Sequence, residues 1–120
     1  MEQHHLSDSE YRLLRVVWAS EPVASGQLVT LCGERLGWKK STTYTVLKKL
    51  CDKGVLRNEG SPVTSAVPRA AVDHRAAEAF VDKTFGGSLP GFLTAFMGGR
   101  KLTAKEAEDL KRLIETYQEG

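Results

Sequence analysis

Apolar positions in the first half of the chain return at steps of three and four, separated by polar residues. Tyr11, Leu14, Val17 and Trp18 form the first such stripe, which predicts an amphipathic helix. Ser7 and Glu10 stand at the spacing of a capping box, with Leu6 and Tyr11 at the positions of a hydrophobic staple. Glu21 precedes Pro22, and the residue before proline avoids the helical region, so the helix ends there. A second helix is expected from Ser25 as N-cap to about Leu36, with Leu28, Leu31, Cys32 and Leu36 inward and Gly37 closing it. A third runs from about Lys40 to Lys53 and stops at Gly54. The period then changes. Val55–Glu59 and Val63–Val67 are short β-prone runs joined by Gly60-Ser61-Pro62, the spacing and chemistry of a hairpin.

After Pro68 the helical period returns. Val72, Ala76, Phe80 and Phe85 mark a helix ended by Gly86-Gly87, with Asp73 expected as its N-cap. Leu89, Phe92, Leu93, Phe96 and Met97 form a fully apolar stripe broken by Gly98-Gly99. Thr103 and Glu106 make a second capping box, and Ala107, Leu110, Ile114 and Tyr117 follow at alternating steps of three and four. Three helices with tight glycine and proline punctuation, followed by a hairpin, predict a winged helix-turn-helix. The fold class is therefore mostly α with a small β-hairpin. Residues 1–70 are expected to form the winged domain and residues 71–120 a C-terminal helical dimerisation arm.

A chain of 120 residues suits one domain, or one small domain with an extension. The amino terminus lacks the apolar core of a signal peptide, and no run nears the roughly 18 apolar residues of a membrane span, so a cytoplasmic location is expected. Cys32 and Cys51 lack CxxC or CxC spacing and read as small buried hydrophobes, so no metal site is expected from them. His4 and His5 could hold a metal only adventitiously. The net charge of +2 matters less than its distribution. Between Trp38 and Arg57 there are six basic residues against the single acid Asp52, whereas from Ala71 onward seven basic residues face eight acidic ones. Positive charge gathered into one short segment is the footprint expected of a nucleic-acid partner.

On a helical wheel of the third helix, Thr43, Val46, Leu47 and Leu50 fall on one side. Ser41, Thr42, Thr45, Lys48 and Lys49 fall on the other, with Tyr44 at the edge. Hydroxyls and free amides at a helix start hold phosphates, and lysines neutralise phosphate or donate to guanine. The candidate DNA-binding set is Lys39, Lys40, Ser41, Thr42, Tyr44, Thr45, Lys48, Lys49 and Arg57, the last flanking a wing whose turn has no basic residue. The candidate dimerisation set is Phe80, Leu89, Phe92, Leu93, Phe96, Leu110, Ile114 and Tyr117, because monomers rarely leave such apolar stripes exposed. A two-fold dimer would read a dyad-symmetric operator in double-stranded DNA. HExxH, GxSxG and GxxxxGK[ST] motifs are all missing, no catalytic constellation is seen, and neither enzymatic activity nor a cofactor is expected. A ligand- or metal-sensing winged-helix regulator, or a winged-helix protein-interaction module, are the alternative functions.

The motifs LSDSEYRLLRVVW, WKKSTTYTVLKKLCDKGVL and SLPGFLTAFMGGRKLTAKEAEDLKRLIE, in that order, resemble the penicillinase-repressor family from Leu6 to about Tyr117. The resemblance implies a homodimeric repressor on a palindromic operator, controlling antibiotic-resistance or stress genes. In antibiotic-responsive members it further implies a membrane sensor protease whose signal leads to cleavage of the dimerisation arm. The family's cleaved bond is typically Asn-Phe, and the matching position here is Ala95-Phe96. The tail ends TYQEG, without the CxC pattern of copper-responsive members, and Lys39-Lys40 replaces the Ser-Pro often found ahead of the recognition helix.

Overall fold

A computed structural model describes residues 6–60 and 62–119. His4, His5 and Ser61 of the expected turn lie outside the described residues. The element order is α1 (Asp8–Ser20), α2 (Ser25–Leu36), α3 (Lys40–Asp52), β1 (Leu56–Arg57), β2 (Thr64–Ser65), α4 (Arg69–Phe85), α5 (Leu89–Met97) and α6 (Ala104–Tyr117). This is the winged helix-turn-helix order, followed by further helices. Packing divides the chain into two compact units, one up to Ala79 and one from Phe80 onward. The expectation placed a boundary at 70/71. The first turns of α4 fall in the first unit because Val72 is buried in its core, and Tyr11 Oη donates to the Val72 carbonyl at 3.4 Å.

In the first unit α1 packs against both α2 and α3. It therefore buries more than the stripe read from sequence: Leu13 and Val16 join Leu14 and Val17 inside, while Tyr11 and Trp18 border the core. The capping box forms as predicted. The Glu10 amide donates to Ser7 Oγ at 3.2 Å, and the Ser7 amide donates to Glu10 Oε1 at 2.7 Å. Ser25 is not the cap of α2; Ala24 is, with no side-chain hydrogen bond. Val23 is held extended by a bridge to Val63, each amide donating to the other's carbonyl at 3.2 and 2.7 Å, and the helix starts right behind it, one residue earlier than a Ser25 cap would give, with the Leu28 amide donating to the Ala24 carbonyl at 2.9 Å. Gly37 closes α2 in the left-handed region with φ 71°, where a side chain would add strain.

The hairpin is shorter than predicted, with only Leu56 opposite Ser65 and Arg57 opposite Thr64. Val63 pairs with Val23 instead of extending the ladder, and Glu21 grips the returning strand. Ser65 donates to its carboxylate through the backbone amide at 2.8 Å and the hydroxyl at 2.9 Å. Asp73 does not cap α4. The amides of Ala71 and Val72 already bond the Pro68 carbonyl, so the helix begins at Arg69 and Asp73 pairs with Arg69 one turn on, at 3.4 Å. The Arg69 guanidinium lies over the Trp18 ring, 4.5 Å from its centroid.

The second unit is built around rings. Phe80, Phe85 and Phe92 meet pairwise at 5.9, 5.9 and 5.5 Å, edge to face, and Phe96 adds to Phe92 at 5.9 Å. Ser88 caps α5 and Thr103 caps α6, the latter through the predicted box with Glu106. No residue of α5 or α6 is buried.

An ion pair reaches into the core of the first unit. Glu10, with a side chain only 4 % exposed, accepts from Lys53 Nζ at 2.8 Å, and Lys53 is 34 % exposed. Burial alone would raise the Glu10 pKa; the bonds from Lys53 and Ser7 and the lysine's charge outweigh it and hold the carboxyl below its ordinary value. A carboxylate whose folded pKa is depressed stabilises above its unfolded value, and that contribution is lost as pH falls through the folded value. Glu10→Gln should therefore cost about 1–3 kcal/mol at neutral pH, as expected for breaking a mostly buried pair. The gap to wild type should narrow as denaturation is repeated at pH values below the ordinary carboxyl value of 4.5. A gap independent of pH would show that the pair contributes no charge-dependent stability.

Candidate nucleic-acid interface

The inner face of α3 fixes the outer one. Thr43, Val46, Leu47 and Leu50 are buried, and the Thr43 hydroxyl donates to the Lys39 carbonyl at 3.3 Å. With that face anchored, Ser41, Thr42, Tyr44, Thr45, Lys48 and Lys49 are all exposed, together with Lys39 and Lys40 ahead of them. The structure thus brings the α3 members of the candidate set onto one surface. Arg57 is exposed on β1, in the hairpin that follows.

The start of α3 carries no side-chain cap: Lys39 is the N-cap residue and makes no capping bond. The first amides of the helix keep their donor capacity, at the positive end of its dipole. Ser41 and Thr42 make no side-chain hydrogen bond among the described residues, whereas Thr45 donates to the Ser41 carbonyl at 2.9 Å and keeps its lone pairs to accept. Lys40 Nζ sits 5.9 Å from the Tyr44 ring centroid. The cations are not equivalent. Lys48 pairs with Asp52 at 3.0 Å, but both partners are well exposed and such pairs contribute at most about 1 kcal/mol, so a phosphate can displace the acid. Lys53, counted by sequence in the basic segment, turns instead toward Glu10.

A shallow groove lined by Tyr44, Leu47, Lys48, Cys51, Asn58 and Glu59 separates α3 from the hairpin. Asn58 and Glu59 were not singled out from sequence, because only the fold sets them beside the outer face of α3. Burial raises the thiol pKa of both cysteines, with Asp52 adding to the effect at Cys51, so both stay protonated at neutral pH. Cys32 is buried and Cys51 half-buried, on helices, as predicted. Among the described residues no group of three or more potential metal ligands occurs, and no helix is long and apolar enough to cross a membrane.

The candidate dimerisation residues all lie in the second unit. Phe80, Leu89, Phe96, Ile114 and Tyr117 are exposed, and Phe92, Leu93 and Leu110 half-buried. Leu113, not in the candidate set although it stands three residues after Leu110 and four before Tyr117, is exposed as well. Ala95 and Phe96 lie exposed in the last turns of α5, with the Arg100 guanidinium 5.0 Å from the Phe96 ring centroid.

Comparison with known proteins adds to this geometry. The chain is 24 % identical over 115 residues to an uncharacterized 16.5 kDa protein from the ptsI 3' region of Latilactobacillus sakei, covering 92 % of this chain and 79 % of that one. It is 20 % identical over 117 residues to a penicillinase repressor of Staphylococcus aureus, covering 94 % and 93 % respectively. The family model described as penicillinase repressor matches residues 6–116, which span the winged unit, α5 and nearly all of α6. The chain belongs to the penicillinase repressor family.

Proposed function

We propose that the chain is a DNA-binding transcriptional repressor, acting in the cytoplasm as a homodimer on a dyad-symmetric operator. The observation that carries this reading is the outer face of α3: an uncapped helix start, free hydroxyls at Ser41 and Thr42, and exposed Lys39, Lys40, Lys48 and Lys49 on a helix anchored by its buried side. Phosphates would be held by the lysines and the first amides of α3, while Thr42, Tyr44 and Thr45 would face base edges. Arg57 would supply a backbone contact from the hairpin. No enzymatic step and no cofactor enters this function.

The dimer reading rests on unfinished burial. Six of the seven large hydrophobic side chains exposed among the described residues belong to the second unit. We assign the second unit, from Phe80 onward, to association and the first unit to DNA. A two-fold pair would set its recognition helices about one turn of duplex, roughly 34–36 Å, or a multiple of that, apart. Relief by a membrane sensor protease acting near Ala95-Phe96 would work by severing the aromatic cluster at Phe96 from Phe92, removing apolar surface that joins the protomers. The regulated genes would then include those of antibiotic resistance.

Selection of bound fragments from genomic DNA should enrich a dyad motif occupied by two chains, and no enrichment over random duplex would overturn the operator reading. Lys40→Ala and Lys49→Ala should each weaken binding across sequences and lower the slope of log affinity against log salt by about 0.9, one counterion-releasing contact apiece. Unchanged slopes would remove these lysines from the interface. Ile114 and Tyr117 are 59 % and 79 % exposed, so charging them leaves the protomer's own packing intact. Ile114→Asp should sediment as a monomer with unchanged helix content, and a persistent dimer would place the interface elsewhere.

A further inference from the structure

The first unit contains a second concavity, away from the α3 surface. It lies where the end of α3, the strand that follows it and the start of α4 converge, lined by Leu6, Lys53, Gly54, Val55, Val67, Val72 and Arg75. Its volume is about 180 Å³, room for roughly six water-sized groups. Four of its lining side chains are aliphatic. Val55 and Val72 are buried, and Leu6 and Val67 are half-buried against the core. The other two are cations. Lys53 is engaged by Glu10, but Arg75 makes no ion pair or hydrogen bond among the described residues, although Glu78 and Asp73 lie on the same helix. Glu78 pairs with His74 and Asp73 with Arg69, which leaves the Arg75 guanidinium with all its donors.

We propose that this cavity is a binding site for a small monocarboxylate with a compact aliphatic body of about five or six carbons. The aliphatic wall selects the body by burial, and the Arg75 guanidinium, with Lys53 beside it, selects the anionic head by a charge-assisted, two-pronged hydrogen bond. A cationic head of the same length would meet the unpaired Arg75 guanidinium there. A bare carboxylate would gain the ionic contact and lose the apolar one. The site goes beyond the repressor reading and does not rest on it. An occupant would touch Gly54 and Val55, immediately after α3, and Val72 and Arg75 on α4 at once. It would therefore bridge the segment that presents the DNA face and the helix that leads toward the dimerisation arm.

The test uses the full-length chain without DNA, so that its failure leaves operator binding untouched. Hexanoate is titrated while the methyl resonances of Val55, Val67 and Val72 are followed, with acetate and hexylamine as controls. Saturable shifts of those methyls by hexanoate are expected, with acetate and hexylamine at least tenfold weaker. Arg75→Gln should weaken hexanoate at least tenfold, and Arg75→Lys, which keeps the charge without the two-pronged geometry, should recover only part of the loss; since Arg75 is exposed, both variants should keep the wild-type methyl spectrum without ligand. No saturable shift with hexanoate, equal binding of hexylamine, or unchanged affinity in Arg75→Gln would each overturn the site.

Discussion

Everything the outer surface of α3 can do depends on how firmly its inner surface is held. Thr43, Val46, Leu47 and Leu50 are buried against α1 and α2, and the helix is pinned at its far end where Lys53 reaches Glu10 in the first turn of α1. That carboxylate serves two purposes through one oxygen. Glu10 Oε1 accepts from the Ser7 amide, which fixes the start of α1, and from Lys53, which fixes the end of α3. The proposed recognition surface could read DNA only if its side chains held a fixed bearing, and α3 is held by a packed stripe plus a charged pin. The pin is costly to build, because Glu10 is desolvated, and its second oxygen finds no hydrogen-bond partner among the described residues.

The helices and the division of α3 into two faces were legible in the chain, because both follow from local rules: a capping box, a glycine stop and a period of 3.6. Some losses occurred where a distant partner overrode the local signal, and others where a nearer residue supplied the acceptor first. Ser25 has the chemistry of a cap, yet the helix starts one residue earlier, with Ala24 at the cap next to Val23, which is tied to Val63 from forty residues away. Asp73 has the same chemistry, and Pro68 pre-empts it by supplying the first acceptor of α4. Lys53 looked like one more basic residue of the DNA segment, because nothing in its own neighbourhood points to Glu10. The lysines and hydroxyls of the outer face were legible for the opposite reason, since exposure on a helix is decided by what its other side buries.

The charge on that face is held in readiness rather than spent. Lys48 leans on Asp52 and Lys40 on Tyr44, both contacts exposed and weak enough for a phosphate to replace. Lys39 and Lys40 precede a helix whose first amides lack a side-chain acceptor. An N-cap serine or aspartate would occupy those amides permanently. Leaving them uncapped costs the free protein on the order of 1 kcal/mol and leaves donors that an anion can satisfy at no further cost.

The second unit shows the complementary economy. Its rings associate within one chain, Phe80, Phe85, Phe92 and Phe96 in mutual contact, yet α5 and α6 bury none of their residues fully. A segment that completed its own core would have no reason to associate, and one without a core would pay the whole entropy of ordering at the moment of association. An aromatic nucleus with an exposed rim lies between these limits: the protomer is pre-ordered, and the remaining apolar surface still favours a partner. The same arrangement would make the proposed cleavage near Ala95-Phe96 effective. The bond sits at the edge of the nucleus, where Phe96 meets both Phe92 and Arg100, and Arg100 in turn meets Glu106 of the α6 cap at 3.3 Å. Cutting there separates the ring cluster from the helix that carries Leu113, Ile114 and Tyr117, so one severed peptide bond would disconnect the two apolar surfaces on which the proposed dimer depends.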